Sequence, residues 1–251
     1  MSRIVWAVAM LGLTALLGRA ANAAEIKVFT TRAVATVLDK VGPEFERTTG
    51  HRLNVTTDIA IRLVQRVQAG EPFDLLVAAP GQIDALIKSG KIIPNTHTGL
   101  VRSGIGVEVR AGASKPDISS VDAFKRTLLN AKSIAYLKEG QSGIYIAGML
   151  GRLGIAEAIN SKVTRPEADI VSELVANGDI ELGMVVVTQI MTTQGVQLVG
   201  PLPAEIQSYI TFDAGVSAAS REPEAAKDLI RFLGGPAALA IIKAQGMEAA
   251  H

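Results

Sequence analysis

The fold is decided by residues 26–90, which read IKVFTTRAVATVLDKVGPEFERTTGHRLNVTTDIAIRLVQRVQAGEPFDLLVAAPGQIDALIKSG. This stretch contains three short apolar runs typical of β-strands, at residues 26–29, 53–55 and 73–79. Each run is followed by apolar residues at helical spacing and then by a glycine, a residue that commonly follows the end of a helix. The resulting β-α-β-α-β-α order predicts a parallel sheet covered by helices.

The remainder of the chain repeats this order between two longer extended segments. Residues 101–110 and 209–219 are predicted to be extended, and strands and helices alternate between them. The last two predicted helices, at residues 223–233 and 236–244, each begin with a proline, which is favoured at the first helical position. The pattern predicts an α/β protein with two lobes joined by two crossing strands. Each lobe would have a mixed, mostly parallel sheet flanked by helices, and the terminal helices would pack on the first lobe.

The first 23 residues have the pattern of a secretory signal peptide. Arg3 precedes an apolar run over residues 4–17, and Ala21-Asn22-Ala23 is a small-x-small cleavage signal. The run is short for a membrane span, which needs about 20 apolar residues. We therefore expect cleavage near Ala23-Ala24, export to the periplasm and no stable membrane insertion of the mature chain.

Composition excludes several classes of chemistry. The chain has no cysteine and only three histidines, His51, His97 and His251, which lie far apart in the sequence. Thiol catalysis and cysteine-based zinc sites are excluded, and we expect no metal centre and no cofactor. Residues 1–23 contain two arginines, one of them Arg3, and no acidic residue. Their removal changes the formal net charge from +1 to −1. This charge gives no indication of a nucleic-acid partner, and we expect a monomer.

Four segments carry a resemblance to a known family. They are VFTTRA (28–33), QAGEPFDLLVAA (68–79), SGIY (142–145) and ANGDIELG (176–183). In order and spacing they resemble the periplasmic molybdate-binding proteins of ABC transporters. The resemblance implies a periplasmic-binding-protein type II architecture that closes on an oxyanion and delivers it to a membrane permease. It places residues 24–102 and 207–251 in lobe 1, and residues 103–206 in lobe 2.

This chain departs from that family at the positions expected to hold the oxyanion. Molybdate-binding proteins use neutral hydroxyl and N–H donors, but the corresponding positions here are Ala33, Ile61 and Val186. Arg32 and Arg62 lie beside two of these positions. Because a guanidinium group recognises carboxylates through two parallel hydrogen bonds, the change favours an organic di- or tricarboxylate.

The predicted ligand-binding residues lie after strand ends and at helix starts, where α/β proteins bind anions. They are Thr30, Thr31, Arg32, Ala33, Ile61, Arg62, Ser142, Gly143, Ile144, Tyr145, Val187, Thr188 and Gln189.

A narrower resemblance suggests an enzyme. The segments VRAGASKPDIS (109–119), DAFK (122–125), SIAY (133–136) and SGIY (142–145) are similar to a branch that contains the bacterial aconitate isomerases. Such an enzyme interconverts cis and trans tricarboxylates by allylic proton transfer and needs a base near the substrate carbon. Tyr136, Lys138 and Glu139 are the titratable residues near the second-lobe loop and are the candidates for this role.

Three hypotheses therefore stay open from the sequence. The first is a solute-binding protein that captures a small anion, an organic di- or tricarboxylate, in an interlobe cleft for an ABC uptake system. The second is an aconitate isomerase-like enzyme, and the third is a molybdate- or tungstate-binding protein. The solute-binding protein and the isomerase both need arginine contacts to carboxylates, but only the isomerase needs a base over a substrate carbon.

Overall fold

The computed structural model describes residues 23–250, which form ten strands and ten helices. The strands are β1 (Glu25–Thr30), β2 (Arg52–Thr57), β3 (Leu75–Ala78), β4 (Thr98–Arg110), β5 (Ile134–Tyr136), β6 (Val163–Thr164), β7 (Leu182–Val186), β8 (Val196–Pro201), β9 (Tyr209–Val216) and β10 (Glu248–Ala249). The helices are α1 (Arg32–Thr49), α2 (Ala60–Gln68), α3 (Pro80–Lys88), α4 (Val121–Asn130), α5 (Gln141–Arg152), α6 (Ala156–Ile159), α7 (Val171–Asn177), α8 (Val187–Thr192), α9 (Pro223–Leu233) and α10 (Pro236–Ala244).

The strands pair in the order β2-β1-β3-β9-β4-β7-β5-β6, with β8 and β10 also bonded to β4. In the first lobe β1 runs parallel to β2 and β3, and β9 is antiparallel to β3. In the second lobe β5 runs parallel to β6 and β7. Helices follow the parallel strands, as the alternating sequence pattern predicted.

Two strands, β4 and β9, connect the two lobes. The first half of β4 pairs with β9, and its second half pairs with β7 and β8. The chain returns to the first lobe through β9, which lies between β3 and β4. The predicted two-lobed α/β architecture with crossing strands is confirmed, whereas the lobe limits at residues 102/103 and 206/207 stay a prediction.

The buried face of α1 shows why these segments fold as they do. Val34, Val37, Leu38, Val41 and Phe45 are all buried, and their spacing is that of one helix face. On that face Phe45 meets the ring of Phe232 from α9 edge to face. Both α9 and α10 contact α1, so the terminal helices pack on the first lobe.

The structure moves some helix starts away from the predicted positions. The apolar patterns predict helix starts at Val34 and Gly143, whereas α1 begins at Arg32 and α5 at Gln141, each two residues earlier. The first turn of each helix contains polar residues and shows no apolar periodicity. The apolar pattern therefore places the start of the helix too late in the sequence. No helix within residues 23–250 is long and apolar enough to cross a membrane. The predicted signal peptide falls in residues 1–23, of which all but the last lie outside the described part.

Candidate functional site

Three helices that follow parallel strands have their N-termini at the same cavity. α1 follows β1, α2 follows β2 and α5 follows β5. None of the three helices has a side-chain hydrogen bond at its N-cap residue, which is Thr31, Ile59 or Gly140. The first N–H groups of a helix have no partner inside the helix, so these donors are available to a ligand.

A cavity of about 70 Å³ lies where these N-termini meet, between the two lobes. The first lobe lines it with Thr31, Arg32, Ala33, Asp58, Ile59, Ala60, Ile210 and Phe212. The second lobe lines it with Leu137, Gly140, Gln141, Ser142, Asp169, Val185, Val186 and Gln189. The lining thus combines helix N-termini with an apolar wall.

A buried hydroxyl group at this cavity has no protein partner. The Oγ1 atom of Thr31 is buried and makes no hydrogen bond among the described residues. A buried hydroxyl without a partner costs about 1–3 kcal/mol, so such groups in native proteins commonly have a functional explanation. Thr31 is therefore a donor that a bound ligand would satisfy.

Arg32 links the two lobes at the edge of the cavity. Its Nη1 atom donates to the backbone oxygen of Asp169 at 2.8 Å and lies 2.5 Å from Oε1 of Glu173. A guanidinium group has five N–H donors, and the described residues occupy only those of Nη1. The remaining nitrogens, Nε and Nη2, make no hydrogen bond among the described residues.

Asp169 brings a carboxyl group to the cavity. Its Oδ1 atom accepts a hydrogen bond from Nε2 of Gln189 at 2.9 Å. Burial raises the pKa of the Asp169 carboxyl above its ordinary value, while the hydrogen bond from Gln189 and the charge of Arg32 lower it in part. A buried carboxyl group with a raised pKa, next to a cavity, is suited to proton exchange.

A second buried carboxyl group lies beneath this region on β4. Glu108 is fully buried and accepts a hydrogen bond from the Ser172 hydroxyl at 3.0 Å. Burial raises its pKa to about 7, and the Ser172 hydrogen bond opposes this shift. A side chain at position 183 would place its Cβ 2.4 Å from Oε1 of Glu108, which explains why Gly183 stands there.

The arrangement as a whole favours a small anion. Each helix N-terminus carries about half a positive charge, and Arg32 adds a guanidinium group. The sequence profile of the family described as "Bacterial extracellular solute-binding protein" matches residues 26–248. The chain belongs to this family of bacterial extracellular solute-binding proteins.

Relatives of this solute-binding protein include both an enzyme and a binding protein. It is 29% identical over 229 residues to an aconitate isomerase of Pseudomonas sp., covering 89% of this chain and 87% of the relative. It is 27% identical over 238 residues to a molybdate-binding protein of Azotobacter vinelandii, covering 92% of each chain. The solved Azotobacter vinelandii periplasmic molybdate-binding protein superposes with a TM-score of 0.74 at 20% identity, covering 90% of this chain and all of that one. At that identity the superposition shows the shared fold.

The structure brings some of the predicted ligand-binding residues together. Thr31, Arg32, Ala33, Ser142 and Gln189 line one cavity, although they come from three distant segments. Their role in binding stays a prediction.

Other predicted ligand-binding residues do not line this cavity. Ile61 and Ile144 are exposed, at 41% and 67%. The Tyr145 hydroxyl donates to the backbone oxygen of Ile206, and the N–H of Thr188 donates to Ser103. Thr30, Arg62, Gly143 and Val187 are also absent from the lining.

The candidates for an isomerase base also lie outside the lining. The hydroxyl oxygen of Tyr136 accepts a hydrogen bond from Nε of Arg165 at 2.7 Å. Lys138 is paired with Glu167 at 2.6 Å, and the pairing raises the pKa of Lys138. Glu139 does not reach the cavity either. Within residues 23–250, no group of three or more His, Asp and Glu side chains could hold a metal ion.

Sequence reasoning missed several lining residues. They are Asp58, Ile59, Leu137, Gly140, Gln141, Asp169, Val185, Ile210 and Phe212. Gly140 could have been found, because a glycine between a strand and a helix often occupies a positive-φ position, and its φ is 94°. Asp169 carried no signal of that kind, since it lies in the connection between β6 and α7, where the sequence shows no motif.

Proposed function

We propose that this protein is the extracytoplasmic receptor of an uptake system and binds a small organic carboxylate between its lobes. The observation that carries the proposal is the convergence of three uncapped helix N-termini, from α1, α2 and α5, on one interlobe cavity. Each favours an anion by about 0.3–1 kcal/mol through its dipole, in addition to the hydrogen bonds of its free N–H groups.

The composition of the lining supports an organic anion over a bare oxyanion. Half of the lining residues are apolar: Ala33, Ile59, Ala60, Leu137, Val185, Val186, Ile210 and Phe212. A tetrahedral oxyanion has hydrogen-bond acceptors on every side and gains nothing from such a wall. A carboxylate attached to a carbon skeleton matches both surfaces, with its charge at the helix N-termini and its carbon atoms on the apolar side chains.

The compartment and the partner follow from the family and from the first residues. An exported receptor would lose residues 1–23 and begin at Ala24, and an ABC-type permease would accept the solute from it. N-terminal sequencing of protein recovered from the periplasm tests the first statement. A mature chain that still begins at Met1 contradicts it.

Calorimetric titration with succinate, malate, citrate, tricarballylate and molybdate tests the ligand class. We expect at least one carboxylate to bind more tightly than molybdate. Arg32→Ala should weaken that carboxylate by about 10- to 100-fold, since a hydrogen bond to a charged group contributes roughly 1.5–3 kcal/mol. Arg47→Ala is the matched control, because Arg47 lies on the same helix, is exposed and pairs with Glu44.

Glu173→Gln separates two ways in which Arg32 could act. If Arg32 binds the ligand, removing its ion-pair partner leaves the guanidinium group free, and affinity should stay equal or increase. If Arg32 only holds the lobes together, Glu173→Gln should weaken binding as Arg32→Ala does. Nanomolar binding of molybdate without binding of any carboxylate would contradict the proposal.

A second function, isomerisation of an unsaturated tricarboxylate, is favoured by Asp169. Its buried carboxyl group lines the cavity and has a raised pKa, as a general base for a carbon acid requires. Asp169 would take a proton from a methylene carbon while the double bond shifts, and would return a proton to the carbon at the other end of the allyl system. No proton is consumed overall.

Proton NMR of trans-aconitate incubated with the purified protein tests this second function. Appearance of the cis isomer, and its loss in Asp169→Asn, would support it. The 29% identity to an aconitate isomerase is the reason to choose this substrate. Binding of trans-aconitate without conversion would contradict the isomerase function and leave the receptor function as the remaining proposal.

A further inference from the structure

The cavity contains one carboxylate that an anion receptor does not need. Arg32 is the cationic side chain among its lining residues, and its ion pair is with Glu173. Asp58 lies 3.8 Å from Arg62, so its charge also has a nearby partner. The Asp169 carboxyl group forms no ion pair among the described residues, because Arg32 donates to its backbone oxygen and its charge acts on the carboxyl group only from a greater distance.

The carboxyl group of Asp169 has unused capacity to accept hydrogen bonds. A carboxylate has about four acceptor positions on two oxygens. Among the described residues only the amide of Gln189 donates to it, and that bond is to Oδ1. Since Asp169 lines the cavity, its remaining acceptor positions are open to a ligand.

An anion that has hydrogen-bond acceptors but no donor would be repelled by the acceptor oxygens of Asp169. Molybdate, sulfate and a fully ionised simple dicarboxylate such as succinate have no donor to satisfy Asp169. An anion that also carries a hydroxyl group can direct its carboxylate to the helix N-termini and its O–H to Asp169. Both groups of the site are then satisfied by one ligand.

We propose that Asp169 makes this cavity selective for hydroxycarboxylates, whose hydroxyl group donates to its carboxyl oxygen. This statement rests on the proposed receptor function and names the substrate class of the same site. Gln189 positions the carboxyl group, and the apolar wall contacts the carbon skeleton.

Two pairs of probes that differ by one hydroxyl group test the selectivity: L-malate with succinate, and citrate with tricarballylate. Calorimetric titration at pH 7.5 should show the hydroxylated member of at least one pair binding about 10- to 100-fold more tightly. Asp169→Asn should reduce that ratio to less than about threefold. It should also strengthen binding of molybdate or succinate, because the repulsive charge is removed.

Asp179→Asn is the matched control. Asp179 is exposed, belongs to the same lobe and undergoes the same change of charge, so the selectivity ratio should stay at the wild-type value. If Asp169→Asn does not unfold cooperatively, Asp169→Ala replaces it, with the same loss of selectivity expected.

The outcomes separate this inference from the receptor proposal. If carboxylates bind but the hydroxylated members show no advantage, or if the advantage persists in Asp169→Asn, the role of Asp169 is overturned and the receptor function stands. If no carboxylate binds to the wild-type protein, both proposals fail.

Discussion

Glu108 is the residue whose ionisation should control how stability depends on pH. Its pKa is raised from 4.5 to about 7 by burial, so the folded state holds this proton more tightly than the unfolded state does. The contribution of the protonated Glu108 side chain to the free energy of unfolding is therefore complete below about pH 4, and it is lost as the pH rises through 7. The Glu108→Gln side chain stays neutral and can keep the Ser172 hydrogen bond. At pH 8 the free energy of unfolding of this variant should therefore be roughly 3 kcal/mol higher than that of the wild type.

Urea unfolding at pH 4.5, 6, 7 and 8 measures this effect. The difference between Glu108→Gln and wild type should be small at pH 4.5 and grow towards pH 8. Glu157→Gln, an exposed carboxyl group in α6, should show no such growth. A Glu108→Gln protein that is less stable than wild type at pH 8 would mean that the ionised side chain has a stabilising partner.

Thr31→Val should separate binding from stability. The Thr31 hydroxyl is buried without a partner and does not cap α1, so its removal should leave the unfolding free energy equal or slightly higher. Affinity for a carboxylate should fall by about tenfold, the effect of one hydrogen bond to a charged group. Thr36→Val is the control, since the Thr36 hydroxyl already donates to the backbone of Ala33. A stability loss in Thr31→Val without loss of affinity would assign the hydroxyl a structural role.

At the scale of single elements, the start of α5 depends on one glycine. A Cβ atom at Gly143 would lie 1.9 Å from the backbone oxygen of Leu137, and a backbone atom cannot move aside as a side chain can. Gly143→Ala should cost about 1–3 kcal/mol or more and displace the N-terminus of α5 from the cavity, which would also weaken ligand binding.

Gly151, on the same helix, provides the control because a Cβ atom there would meet nothing within 4 Å. Gly151→Ala should stabilise the protein by up to about 1 kcal/mol, the difference in helix propensity. Thermal unfolding of both variants measures the contrast. Equal melting temperatures for the two variants would mean that the loop at Leu137 can shift.

The elements themselves were largely predictable, because periodicity is a local property. The buried residues of α1 recur at helical spacing, and the continuous apolar run of β7 is typical of a strand buried on both faces. The short β6 and α6 were not predicted, since two and four residues are too few to show a period. Thr31 and Arg32, which follow β1 directly, are among the predicted residues that line the cavity, and their role in binding stays a prediction.

At the scale of the whole molecule, two arginines of the first lobe reach the same segment of the second. Arg32 donates to the backbone oxygen of Asp169, and Arg62 donates to that of Glu167 at 3.3 Å. The double variant Arg32→Ala/Arg62→Ala should therefore open the ligand-free protein and increase its radius of gyration in X-ray scattering. Arg47→Ala/Arg52→Ala, which changes two exposed arginines of the same lobe, should not. An unchanged radius in the first variant would mean that other contacts keep the lobes closed.

The cavity could be predicted only in part because it is a property of the whole molecule. Ile210 and Phe212 belong to a crossing strand, and their role depends on how that strand passes between the lobes. Asp169 reaches the cavity only because α7 packs on β4 and β7. Such placements depend on tertiary packing, for which a single sequence gives no periodic signal.

The central position of β9 has a consequence for how the chain acquires its structure. Leu75 pairs with Val216, so the first lobe cannot complete its sheet until residues near the C-terminus are present. The strands β5, β6 and β7 of the second lobe come from one continuous stretch of chain and pair with one another without this delay. Contacts between distant residues form slowly because a long loop must close first. During synthesis or translocation from the N-terminus, the second lobe should therefore fold before the first, although the first begins earlier in the chain.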